Sequence, residues 1–118
     1  MQLRFVDTDA QLHETPLLAV PVTRGADASS GVLAALDEHL GGAVRRALTS
    51  GDMRGRDGDE VLLYGGDAGP DRVVLLGVGE ADDVDAEKIR RLAGRAVRAA
   101  EKIRLESVSV VLLSLIHI

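Results

Sequence analysis

An α/β layered domain is the fold class this sequence predicts, and three observations carry the prediction. Apolar runs of strand length alternate with stretches of helical spacing, the pattern of strands and helices packed in layers. One run, RVVLLGV at 72–78, has no polar residue after its first arginine, as expected of a central strand covered on both faces. Only Phe5 and Tyr64 are aromatic in 118 residues, so the core must be built of Val, Leu and Ala. A chain of this length holds one such domain and shows no internal repeat.

The elements follow in order. Residues 2–6 (QLRFV) alternate and predict a short strand. PLLAVPV (16–22) predicts a second, and its prolines, which cannot donate to a ladder, suit an edge strand or strand termini. GADASS (25–30) is turn chemistry, with Ser29 or Ser30 as the helix N-cap. Val32, Leu33, Leu36 and Leu40 then keep helical spacing, Gly41-Gly42 interrupts it, and Val44, Ala47 and Leu48 resume it. That pattern predicts two short helices joined at the glycine pair.

TSGDMRGRDGDE (49–60) reads as a polar connection, VLLY (61–64) as a strand and GGDAGP (65–70) as a turn. The stretch 84–104 is the strongest helix, with Ile89, Leu92, Ala93, Ala96, Ala100 and Ile103 on one apolar stripe. SVSVVLL (107–113) predicts a last strand.

Composition excludes several function classes. A net charge of −5 argues against general nucleic-acid binding, which needs a basic footprint. With no cysteine, disulfides, thiolate metal sites and a thiol nucleophile are excluded. The start, MQLRFVDTDAQ, lacks a basic region followed by an apolar one, so no signal peptide is predicted. VSVVLLSLIHI (108–118) is too short to span a bilayer. The expected location is the cytoplasm, with no membrane partner.

The glycine turn Gly77-Val78-Gly79 is the feature most like a ligand loop. A dinucleotide fingerprint needs a third glycine, and here that position is Asp82. Glu80, Asp82, Asp83, Asp85 and Glu87 crowd the place a pyrophosphate would occupy. Carboxylates at a helix N-terminus fill the role an anion would play, each contributing about 0.3–1 kcal/mol. The turn is therefore predicted to be a capped helix start.

Other candidates are blander. His13, His39 and His117 have no partner at metal-ligand spacing, and no G-x-S-x-G or Walker loop is present. Asp57 and Asp59 flank Gly58, an arrangement that suits a turn better than a calcium site. Lys88, Arg91, Arg95, Arg98 and Lys102 are assigned to one face of the long helix, opposite its apolar stripe. Such charges are expected to be solvated or to meet another domain, so losing Arg95 should cost the isolated chain little.

The succession LLAVPV, LDEHLGGAVRRAL, SGDMRGRDGDEVLLY, RVVLLGVGE, the Ala/Arg helix and SVSVVLL resembles the N-terminal domain of the leucyl (cytosol) aminopeptidases, the M17 metallopeptidases. The resemblance covers nearly all of residues 3 to 112. Its most specific parts are Leu36-Asp37 with Gly41-Gly42, Gly51-Asp52 with Gly55, and Leu76-Gly77-Val78-Gly79. Glu80 stands where relatives often carry a lysine and Met53 where they often carry an aromatic, both expected in loops.

The resemblance implies a three-layer, mixed-sheet, macro-domain-like fold for residues 1–112. It also implies a larger C-terminal catalytic domain with two divalent metals, manganese or zinc, and a homohexamer acting on peptides. That domain's Asn-Thr-Asp-Ala-Glu-Gly-Arg signature has no match here, so no catalytic, cofactor-binding or metal residue is assigned to this chain. Its catalytic domain is expected to be missing.

The ending LSLIHI (113–118) holds two of the four isoleucines in a chain where arginine outnumbers lysine twelve to two. It is similar to a sequencing adaptor translated in one frame and is expected to be a non-native tail. The alternative function is a free-standing macro-like module binding ADP-ribose or a related nucleotide.

Overall fold

A computed structural model describes residues 1–6, 14–29, 31–65 and 69–112. Ser30, His13, His117, residues 66–68 of the GGDAGP turn and the tail 113–118 lie outside the described residues. The five strands are β1 (Gln2–Val6), β2 (Leu18–Thr23), β3 (Glu60–Tyr64), β4 (Arg72–Gly79) and β5 (Ser107–Val111). The helices are α1 (Gly31–His39), α2 (Ala43–Ser50) and α3 (Ala86–Lys102). The sheet order is β1-β5-β2-β4-β3, with β3 antiparallel to β4 and the other pairs parallel. The mixed sheet is therefore as expected.

Successive strand residues point to opposite faces, and the core divides accordingly. Val73 and Leu75 of β4 join Leu18, Val20 and Val22 under α1 and α2, with Leu36, Val44 and Ala47 above them. Val74, Leu76 and Val78 join Ala19, Val108 and Val110 under Leu92, Ala96, Ala99 and Ala100 of α3. Three layers result: two short helices, the sheet, and one long helix.

β2 is not an edge strand. It lies between β5 and β4, with Pro21 paired in register with Leu76. The Ser109 N–H donates to the Leu17 carbonyl (2.9 Å), so Leu17, and by alternation Ala19 and Pro21, turn their backbone groups toward β5. β5 pairs with β2 only at Leu18 and Ala19. The missing N–H of Pro21 thus falls past the end of that ladder, where no partner is lost.

The hinge between α1 and α2 forms where the glycine pair predicts it. Gly42 holds φ +88, a left-handed conformation that L side chains adopt only at a cost. It cannot cap α2 with a side chain, and Asp37 of α1 does so instead. Its Oδ1 accepts from the Arg45 N–H at 2.7 Å, and Asp37 is buried. Just before α1, Ser29 donates its N–H and hydroxyl to Asp27.

Candidate functional site

Open α/β sheets bind ligands beyond the carboxyl ends of their parallel strands. In this molecule that region is where β2 and β4 end, flanked by the 51–59 loop and the start of α3. Two of its backbone donors are already spent. The Gly77 N–H donates to the Asp59 carbonyl (2.8 Å) and the Gly79 N–H to the Gly55 carbonyl (2.8 Å). Gly79 also accepts from the Arg24 N–H at 3.0 Å. A Cβ at residue 77 would collide with the Arg56 carbonyl, so this glycine exists to let the 51–59 loop lie against β4.

The turn does not lead straight into the helix as the sequence suggested. A short 3-10 turn, Ala81–Asp83, intervenes, and Glu80, Asp82 and Asp83 belong to it rather than to α3. Asp85 is the true cap, accepting from the Lys88 N–H at 2.9 Å. Glu87 is the acidic residue within the first turn of α3. The reading as a capped helix start survives, with Asp85 alone of the five carboxylates doing the capping.

Two side chains of α3 close the region from the side. The Arg95 guanidinium donates to the Gly77 carbonyl (2.6 Å) and the Asp59 carbonyl (2.8 Å), and the Lys88 ammonium to the Val78 carbonyl (2.7 Å). Lys102 pairs with Glu60 of β3 at 3.8 Å. These contacts correct the placement of all five cations opposite the stripe. At 3.6 residues per turn, Lys88, Arg95 and Lys102 fall about 90–130° from the stripe's centre, with Lys88 and Arg95 half-buried on its flank and Lys102 exposed. Arg91 and Arg98 lie nearest to opposite the stripe and are exposed. The angle of each cation from the stripe is the signal the sequence carries.

Asp59 turns its carboxylate into the loop, accepting from the Arg54 N–H (3.1 Å), the Arg56 N–H (3.2 Å) and the Arg56 Nε (3.4 Å). Desolvation pushes this carboxyl up, but those donors and the Arg56 charge outweigh it and hold it below the ordinary value. Asp57 remains exposed, and the turn reading of the pair stands. Met53 was expected to be a mere loop substitution, yet it is buried in the α1–α2 side of the core. Glu80, the other departure, spans the ends of β2 and β4 by pairing with Arg24 at 3.6 Å, in solvent.

At the opposite end of the sheet, the Thr15 hydroxyl donates to the Leu17 carbonyl and the Ser109 hydroxyl to Thr15, both at 3.3 Å. Among the described residues no three His, Cys, Asp or Glu side chains lie where they could hold a metal ion. His39 ends α1 half-buried. No described helix is long and apolar enough to cross a membrane.

A family model described as the cytosol aminopeptidase family, N-terminal domain, matches residues 19–117. The chain belongs to this family. A probable cytosol aminopeptidase of Synechococcus is 36% identical over 101 residues, covering 83% of this chain and 20% of that protein. The chain thus spans about a fifth of the length of the curated relatives it matches. A mutant tomato leucine aminopeptidase superposes with a TM-score of 0.73 at 24% identity, over 93% of this chain and 22% of that one. The macrodomain of Mycobacterium tuberculosis DarG gives a TM-score of 0.64 at 15% identity, over 92% of this chain and 74% of that one. Both likenesses establish the macro-like fold.

Proposed function

We propose that this domain is the non-catalytic N-terminal part of a leucyl aminopeptidase that removes N-terminal residues from peptides in the cytoplasm. It packs on a larger catalytic domain and helps organise a homohexamer. The observation that carries this reading is the closed end of the sheet: the Gly77 and Gly79 N–H groups are bonded to the 51–59 loop, and Arg95 and Lys88 occupy the neighbouring carbonyls. A scaffold needs such closure, whereas a ligand site needs open donors.

The two metals that activate water in such hydrolysis would be held by residues outside this chain. We read residues 113–118 as foreign to the protein, on the isoleucine-rich composition of that hexapeptide; the family match reaches residue 117, so genomic sequence downstream of residue 112 is the check. The purified 118-residue chain should hydrolyse no leucine amide or aminoacyl-nitroanilide, with or without added manganese or zinc. A chain continued through its genuine downstream sequence should do so once metal is supplied. Chelator-sensitive turnover by the short chain, absent from a mock purification, would overturn the proposal.

The second reading, a nucleotide-binding macro-like module, draws support from the likeness to a macrodomain. The closed donors and the exposed carboxylates of the 80–87 segment speak against it.

A further inference from the structure

The two edges of the sheet are guarded unequally. β1 carries the exposed charge of Arg4 at its centre, a common protection against edge pairing. β3 reads Glu-Val-Leu-Leu-Tyr, with no charge among its three central residues, and Tyr64 at its end is 70% exposed. No described residue pairs with its outer side.

The backbone of that edge has a definite pattern. Asp59 and Gly65 bond to Gly77 and Asp71 of the β4 side, in the same register that pairs Leu62 with Val74. By alternation Val61 and Leu63 also direct their backbone groups at β4. The N–H and carbonyl groups of Glu60, Leu62 and Tyr64 therefore point outward. These three positions are symmetric about Leu62.

We propose that β3 pairs antiparallel with β3 of a second copy of this chain, about a two-fold axis through Leu62. In that register Leu62 meets Leu62 and Glu60 meets Tyr64 as hydrogen-bonded pairs, so every outward backbone group on both strands finds a partner. Self-complementarity of this kind fits a second copy better than an unrelated strand. Glu60 and Tyr64, both exposed, become cross-strand neighbours on the α3 face, carboxylate beside phenol.

The other face supports the same occupant. Val61 and Leu63 line an open cleft of about 360 Å³ with Ala43 and Ala47 of α2, rimmed by Arg46 and Asp52. The two-fold axis brings two such clefts side by side, joining four half-buried aliphatic side chains into one seam. Each cleft offers one cation and one anion at its rim, so the two rims carry complementary charges.

Sedimentation equilibrium of the full chain tests this. The wild type should dimerise to twice its 12.5 kDa mass. Tyr64→Glu sets like charges directly opposite at both ends of the ladder and should weaken the dimer by about tenfold or more. Tyr64→Lys sets opposite charges there and should keep the dimer at least as tight. Both changes are at an exposed side chain, and circular dichroism should show both folded. A wild type that stays monomeric at hundreds of micromolar would give the edge to some other segment and overturn the proposal. So would equal effects of the two substitutions.

Discussion

The two faces of the sheet are covered in different ways. On one side α3 is a single 17-residue helix, capped by its own Asp85 and seated by Leu92, Ala96, Ala99 and Ala100. Lys88 and Arg95 on its flank then grip the carbonyls at the end of β4. On the other side α1 and α2 are short, turn on Gly42 at φ +88, and are joined by Asp37 reaching across to the second helix. A long helix can be held by side-chain volume alone, with cations adding position. Two short ones depend on a backbone turn and a buried carboxylate.

The largest effects should be shared by both faces. Leu92→Ala and Leu36→Ala each remove a fully buried side chain and should cost about 2–5 kcal/mol in denaturant melts. A much smaller loss at Leu36 would show that the α1–α2 layer collapses around cavities more readily than the α3 layer.

Next come the polar devices, which differ between the faces. Arg95→Ala removes the guanidinium donor to the Gly77 and Asp59 carbonyls and should cost about 1–3 kcal/mol. Arg91→Ala, on the exposed side of the same helix, should stay within about 0.5 kcal/mol. Equal losses at the two would mean that the flank grip adds nothing. On the other face, Asp37→Ala should cost about 0.5–2 kcal/mol as a lost cap. Gly42→Ala should cost about 1–2 kcal/mol for forcing a side chain into left-handed backbone.

The smallest effect is electrostatic and belongs to the loop against β4. Asp59 has a folded-state pKa below the ordinary 3.8. Its contribution is therefore present above that value and fades as pH falls through the lower, folded pKa. Thermal melts should show Asp59→Asn less stable than wild type at pH 6, with the gap narrowing below about pH 3.8. A gap that widens with acid would reverse the sign and place the carboxyl in a different environment.

These contrasts also mark what the sequence disclosed. Periodicity exposed the α3 stripe and the strands because core residues repeat at the spacing of their own element, as Leu92, Ala96 and Ala100 do. The glycine pair announced the hinge for a similar local reason. The cap of α2 was hidden, because Asp37 lies eight residues from the Arg45 amide it serves, inside a different helix. The position of β2 was hidden too. Pro21 argues for an edge until the register shows that its missing N–H falls beyond the β5 ladder.

At the end of the sheet, the acidic residues after Gly77-Val78-Gly79 argued in the sequence for a capped helix start rather than a phosphate loop. The sequence could not show what the glycines were for. Gly77 meets Arg56, and Gly79 meets Gly55, across more than twenty residues of chain. Arg95 was legible only to a reader who measured its angle from the stripe, because an arginine at the flank and one at the back look alike in composition.

The closed end of β4 is the central claim, and the Gly77 and Gly79 amides report on it directly. Hydrogen exchange followed by NMR on the 118-residue chain should find both strongly protected, because each donates to a carbonyl of the 51–59 loop. Adding ADP-ribose in excess should leave their resonances and protection unchanged. Rapid exchange of both amides in the free chain, or a saturable shift of their resonances on titration, would show donors open to a ligand and contradict the claim.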